Sequence, residues 1–432
     1  MNVRDRQILN IALPSIVSNI TVPLLGLVDV AIVGHMGSAA YIGAVAVGAM
    51  VFNLIFWLFA FLRMGASGLT SQALGRRDLK EVAALMSRSL TIAVAIALGL
   101  IVLQVPIREL MMWFIGPTPD VLPYVLTYYN IVIWGAPAVM CLYGLTGWYV
   151  GMQNTKIPMF VSIMQNVTNI LLSLVFVYGM GMKIEGVALG TVVAQYAGLL
   201  VALLLWWKHY GRLGKYFDIR KTFVRAEMVR FFNVNRDIFL RTLCLVSVNL
   251  YFTSAGARHG AVILSVNTVL MQLYLLFSYF MDGFAYAGEA LCGRYYGAGN
   301  KDAFADTLRR LFRWTVLMVL VYTLVYTIAG EYIASLLTNE TQVLAALHDY
   351  IWWACLIPVC GALAFMWDGI YIGITATRGM LYSLAVAAAA FFISYFAFVG
   401  SLANHALWLA QLLYLLTRGL FQTIWWKKAK YM

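Results

Sequence analysis

Twelve apolar runs, each long enough to cross a bilayer, decide what this chain can fold into. About 20 consecutive apolar residues make a spanning helix. Such runs are read at 8–33, 41–64, 88–109, 121–151, 157–180, 184–207, 237–258, 261–292, 310–337, 343–373, 380–400 and 402–426. Lipid offers no hydrogen-bond partners, so each run must satisfy its own backbone as a helix. Charged residues make up 11% of the chain and hydrophobic ones 62%; soluble domains carry about 25% charged residues. The chain therefore reads as an all-α polytopic membrane protein with twelve transmembrane helices. The first run is too long for a signal-peptide core and lacks a convincing cleavage site, so it is expected to be retained. Several runs exceed about 25 residues, which calls for tilt or kinking. Pro14, Pro23, Pro137 and Pro358 offer places to bend.

Basic residues orient the helices. With a cytoplasmic N-terminus, 24 Lys and Arg fall on the cytoplasmic side, against only Arg108, Lys183 and Arg258 opposite. Positive charge gathers inside, so both termini are expected in the cytoplasm.

The two halves look like copies. Gly147-Trp148-Tyr149-Val150-Gly151-Met152-Gln153-Asn154-Thr155-Lys156 matches Gly369-Ile370-Tyr371-Ile372-Gly373-Ile374-Thr375-Ala376-Thr377-Arg378 at an offset of 222. The turn ending at Arg77-Asp78 has a counterpart ending at Gly299-Asn300. Small residues spaced as Gly147 and Gly151, or Gly369 and Gly373, permit close helix packing. The expected division is an N-terminal six-helix lobe (1–207), a cytoplasmic basic linker (208–236) and a C-terminal six-helix lobe (237–432). Six helices per half is even, so the copies insert in the same orientation as a parallel internal repeat. A cavity is expected between them near the bilayer midplane.

Several functions are disfavoured. The net charge of +12 lies in short loops rather than on one basic, aromatic face, so nucleic acid is not an expected partner. The linker charge fits contact with anionic headgroups of the bilayer. Cys141, Cys244, Cys292, Cys355 and Cys360 form no CxxC pair and read as small packed hydrophobes. No GxxxxGK[ST] phosphate loop is present, so nothing points to ATP-driven pumping. None of the five histidines lies deep in a span, which argues against an enzyme and against a metal centre.

Polar groups at depth remain. An ionised Asp at a helix centre costs roughly 2.5–3.5 kcal/mol on insertion, so Asp29 in the first span needs a reason to be there. Asn166, Asn169 and Ser173 share one face of the fifth helix by their i, i+3, i+7 spacing. Thr191 and Gln195 form an i, i+4 edge on the sixth. A carboxylate beside amide and hydroxyl oxygens can hold a desolvated cation such as Na⁺, or take and release a proton as its exposure changes. The same groups would also make an interhelical hydrogen-bond network, worth about 0.6 kcal/mol per bond. In the second half Asp282, Glu289 and Asp368 are the acidic candidates, and each has Arg63, Arg241 or Arg418 as a possible structural partner. Met50, Asn53 and Trp57 share a face of the second helix that suits an amphipathic substrate.

Leu13-Pro14, then Val22-Pro23-Leu24-Leu25-Gly26-Leu27-Val28-Asp29 and Val33-Gly34-His35, resemble the start of multidrug and toxic compound extrusion (MATE) transporters of the DinF branch. So do Leu62-Arg63-Met64, Asn235-Arg236-Asp237, Met281-Asp282-Gly283 and Asp368-Gly369-Ile370. The resemblance implies two six-helix lobes in a V, in a bacterial inner membrane. It implies a secondary active efflux antiporter that exports small organic, often cationic or amphipathic, compounds by alternating access. A monomer is expected, with no cofactor beyond H⁺ or Na⁺ as the coupling ion. It also implies Asp29 as the cation site, with Asn169 and Thr191 matching the family's helix-5 and helix-6 polar residues. Ser173 departs from the pattern, because many relatives carry a second Asp there. One carboxylate fewer favours H⁺ over Na⁺. The helix-7 Glu of the NorM branch is absent as well, since 237–258 holds no acid beyond Asp237. The rival is a lipid-linked oligosaccharide flippase, whose cavity would need to be dominated by cations.

Overall fold

Asp78 shows how sharply the helices are punctuated: its carboxylate accepts the Glu81 backbone N–H at 3.0 Å and starts a helix at Leu79. Ser38, Asp218 and Asn300 cap helices in the same way in the computed structural model, which describes residues 2–338, 340–429 and 431, and of Leu27 and Val30 the backbone alone. The first half comprises α1 (Val3–Gly34), α2 (Ala39–Leu58), α3 (Phe61–Gly75), α4 (Leu79–Val102), α5 (Gln104–Ile115), α6 (Leu122–Val132), α7 (Ala136–Gly151), α8 (Lys156–Leu174), α9 (Ile184–Tyr210) and α10 (Ile219–Thr222). The second comprises α11 (Arg225–Ala257), α12 (Ala261–Gly297), α13 (Lys301–Ser335), α14 (Thr341–Leu347), α15 (Ile351–Gly373), α16 (Thr377–Leu402) and α17 (Asn404–Ala429). No strand occurs among the described residues.

Among the described residues, eleven helical segments are long and apolar enough to cross a membrane. The expected twelfth span is α17, a helix of 26 residues that is too polar to join them. Its polar residues Asn404, Gln411, Arg418 and Gln422 are buried, and they lower its hydropathy. The third run also begins earlier than its apolar stretch, at Leu79 rather than residue 88. Glu81 and Arg88, polar enough to look like loop, are buried there as an ion pair at 3.0 Å. Two long runs break into pairs of helices, α6 with α7 and α14 with α15. Pro137 stands in the first turn of α7, where a missing N–H costs nothing. Residues 208–236 are largely helical, through α10 and the start of α11.

The internal repeat is visible atom by atom. A Cβ on Gly147 would strike the Arg63 carbonyl, and one on Gly369 the Ala285 carbonyl. Gly151 faces Ser67 O, and Gly373 faces Glu289 O, each at 2.7 Å from the added Cβ. All four pairs obey the 222-residue offset, so glycine lets α7 press on α3 as α15 presses on α12. Helix ends repeat too. Asp78 N–H donates to Ala73 O as Asn300 N–H does to Tyr295 O, both at 3.0 Å. Arg77, Gln153 and Thr375 adopt left-handed backbone at φ 57°, 63° and 56°, while the fourth equivalent position is Gly299 at 66°. A side chain there costs about 1–2 kcal/mol, which only glycine avoids.

The chain divides into two compact units: Val17–Phe231, and Met1–Ile16 together with Phe232–Met432. Helix α1 thus contributes its first turns to the second unit and its remainder to the first. The first unit is packed around Trp148, Tyr149, Tyr129 and Leu62, all essentially inaccessible. In the second, Trp408, Phe277, Tyr326 and Phe391 play that part.

Candidate functional site

Helices α1 and α8 are tied at two heights. Near one end, Thr21 Oγ1 lies 3.1 Å from Ser162 Oγ, and Asn166 Nδ2 donates to Thr21 O at 3.1 Å. Further along, α8 continues as a π turn, Val175–Gly179. From it the Tyr178 hydroxyl donates to Ile32 O at 2.9 Å. Both numbers rise together, so the helices run parallel, and Asp29 falls between the ties, level with the last turns of α8.

Those turns carry the amide and hydroxyl groups. Asn169 Nδ2 donates to Thr191 Oγ1 at 3.2 Å, and Ser173 Oγ donates to Asn169 Oδ1 at 3.3 Å. Thr191 in turn donates to Val187 O at 3.0 Å. Asn169 and Ser173 are buried. Gly190 makes the chain of contacts possible, because a Cβ there would sit 2.8 Å from Ser173 Oγ and 3.1 Å from its backbone N. Tyr128 of α6, packed against Gly48 of α2, stands beside Thr191 and within electrostatic reach of Asp29. The Asp29 side chain is only partly exposed. Its Oδ1 is buried and, among the described residues, has no hydrogen-bond partner. Buried polar atoms are nearly always paired, so this carboxylate oxygen stands out as an acceptor that the described residues leave open.

Of the six residues singled out on helices 1, 5 and 6, Asn169, Ser173 and Thr191 are joined by hydrogen bonds, Asn166 is tied separately to Thr21, and Asp29 lies between the two ties. Gln195 stands apart: it is buried against Gly135, and its Oε1 lacks a partner among the described residues. Met50, Asn53 and Trp57 share an exposed face of α2, opposite the buried Val51, Phe52, Ile55 and Phe56. Thr21, Tyr128 and Tyr178 were not singled out in the sequence. Thr21 carries a faint signal, two turns before Asp29; the tyrosines are two among the chain's 25.

The second unit treats its acids differently. Arg241 and Arg418 both donate to Asp368 Oδ2, and Gln422 Nε2 donates to Oδ1 at 2.7 Å. All four side chains are buried. Asp368 is thus fully engaged by three donors, its partners coming from α11 and α17. Asp282 is half-buried, accepts from Ser278 Oγ at 3.5 Å, and lies within electrostatic reach of Arg418. Glu289, seven residues on, is buried.

At the start of α4, α10 is clasped to it. Arg88 Nε donates to Thr222 O at 3.1 Å while its Nη1 holds Glu81. Lys221 Nζ meets Asp78 Oδ1 at 3.3 Å. Partial desolvation pushes the Asp78 carboxyl up, but the Glu81 N–H, Lys221 and Arg76 outweigh it, and its pKa ends below the ordinary carboxylate value.

The family model described as MatE matches residues 14–175 and again 238–399, once in each half. The DNA damage-inducible protein F of Escherichia coli is 39% identical over 424 residues, covering 98% of this chain and 92% of that protein. A probable multidrug resistance protein NorM of Photorhabdus laumondii is 24% identical over 386 residues, covering 88% and 84%. The bent form of the Vibrio cholerae MATE transporter VcmN superposes with a TM-score of 0.87 at 15% identity, over 99% of this chain and 97% of that one.

Proposed function

This chain belongs to the MatE family of multi-pass membrane transporters, and we propose that it is a secondary active antiporter exporting organic, often cationic or amphipathic, compounds in exchange for H⁺. The observation that carries this reading is the buried, unpartnered Oδ1 of Asp29 beside the Asn169–Thr191–Ser173 contacts. A carboxylate kept in a span without a cationic partner is costly, and protonation relieves the cost. Proton loss on one side of the membrane and gain on the other would then alternate the charge of α1. Binding of the ion need differ between two conformations by only a few kcal/mol to bias exchange. Ser173 leaves Asp29 with amide and hydroxyl neighbours rather than a second acid, which favours H⁺ over Na⁺. The multidrug name of the NorM relative supports an organic substrate. In this reading the carrier works as a monomer in a bacterial inner membrane.

Asp368 we assign a structural part, since two guanidinium groups and an amide already occupy it. The same pairing weakens the flippase reading. A pyrophosphate-binding cavity needs available cations, and Arg241 and Arg418 are committed to Asp368.

Inverted membrane vesicles containing the full chain separate the two coupling ions. Uphill uptake of a fluorescent organic cation under an imposed pH gradient, with Na⁺ absent, is the expected result. Uptake driven by a Na⁺ gradient alone would overturn the preference for H⁺.

A further inference from the structure

The second unit contains an apolar groove of about 470 Å³ between the first turns of α1, α12 and α13. That volume falls among small-molecule sites, roughly 300–1,000 Å³. Its α13 wall runs from Trp314 to Ile333, about 28 Å at 1.5 Å per residue, close to the hydrocarbon thickness of a bilayer. The floor is aromatic. Phe284 stacks on Trp314 with centroids 5.8 Å apart, and Phe280 meets Tyr322 at 5.4 Å. The rim is open, with Leu13, Val321 and Val325 exposed. Among the described residues, no charged one lines it.

One end of the groove is strongly charged. Trp314 Nε1 donates to Asp5 Oδ1 at 3.3 Å, and Arg310 bridges Asp5 at 2.7 Å and Asp306 at 3.2 Å. Arg4 adds a second contact to Asp306 at 2.7 Å. These four charges cancel. Arg6, Arg309 and Arg313 lie on the same turns of α1 and α13, exposed and without an ion pair among the described residues. Arg6 continues the stripe that Leu9, Leu13 and Ile16 present to the groove, by helical spacing of three and four. Trp314, which bounds this end, is the kind of side chain that sits at the headgroup level.

We propose that this groove holds an acyl chain of an anionic phospholipid whose headgroup rests on Arg6. A long apolar slot with uncompensated positive charge at one end alone matches that molecule. A zwitterionic lipid would gain only the slot, and a soluble phosphate only the arginine.

The test is native mass spectrometry of the full chain, stripped of lipid and titrated with dioleoyl phosphatidylglycerol, dioleoyl phosphatidylcholine or glycerol 3-phosphate. One phosphatidylglycerol should bind per chain, with at least fivefold preference over phosphatidylcholine, and glycerol 3-phosphate should not displace it. Val321→Trp and Val325→Trp, which fill the open rim without touching the buried core, should each lower occupancy at least fivefold. Leu320→Trp, on the same helix but outside the groove, should leave occupancy unchanged. Arg6→Gln should reduce phosphatidylglycerol to the level of phosphatidylcholine. Equal binding of the two lipids by the unaltered chain would overturn the proposal. So would full occupancy in both groove-filling variants, or displacement by glycerol 3-phosphate at matched concentration.

Discussion

Asn169 and Thr191 are joined at 3.2 Å across α8 and α9, and that contact exists because the residue beside Thr191 is glycine. One hydrogen bond within a membrane is worth about 0.6 kcal/mol. Its value here lies in position, since it orders the polar groups level with Asp29.

Gly190→Ala tests that arrangement. The added methyl would press on Ser173 Oγ and its backbone N, and overpacking of this kind costs about 1–3 kcal/mol. The expected outcome is a lower unfolding temperature in detergent and slower coupled transport. Gly26→Ala on α1, where an added Cβ meets nothing within 4 Å, should leave both unchanged.

Asp368 anchors two buried arginines, so Asp368→Asn leaves their charge uncompensated. Breaking a buried ion pair from one side costs about 3–5 kcal/mol. Thermal unfolding should show a large loss for Asp368→Asn and a smaller one once Arg418→Gln is added. If Asp368 were instead an exchangeable ion site, Asp368→Asn would retain its unfolding temperature and lose ion dependence.

Asp78 predicts a pH dependence. Its folded pKa lies below the unfolded value, which is about 3.9 for Asp. The folded chain therefore holds the proton less tightly, and the contribution is present above pH 4 and lost as the pH falls through the folded pKa. For a partly exposed pair it amounts to at most about 1 kcal/mol. Unfolding temperatures of the native chain and Asp78→Asn should differ by a constant amount between pH 5 and 8 and converge below pH 4. A gap that widens on acidification would contradict this sign.

Ser173→Asp probes the choice of ion. A second carboxylate beside Asn169 would suit Na⁺ better than the hydroxyl does, so Na⁺ should begin to stimulate transport by this variant. No response to Na⁺, with transport intact, would show that the residue at 173 does not select the ion.

Much of the fold was legible in the sequence, for physical reasons. Apolar runs in lipid have little choice but to be helices, and the 222-residue offset that links Gly147 to Gly369 reappears in their backbone contacts. Polar residues buried inside the protein hid the rest. Glu81 with Arg88 masked the start of α4, and Arg418 with Gln422 lowered the apparent hydropathy of α17. At the site, helical spacing put Asn166, Asn169 and Ser173 on one face. Spacing within a helix says nothing of its neighbours, so Tyr128 and Tyr178 could not be found that way. For Asp368, only the three-dimensional approach of Arg241 and Arg418, 127 and 50 residues away, decides what it holds.

The central claim is that Asp29 carries the coupling proton, and Asp29→Asn tests it most directly. In inverted vesicles under an imposed pH gradient, the native chain should accumulate the organic cation. Asp29→Asn, which swaps an unpartnered carboxylate oxygen for a neutral amide, should unfold at no lower a temperature yet accumulate nothing above its equilibrium level. Full pH-driven accumulation by Asp29→Asn would contradict the account.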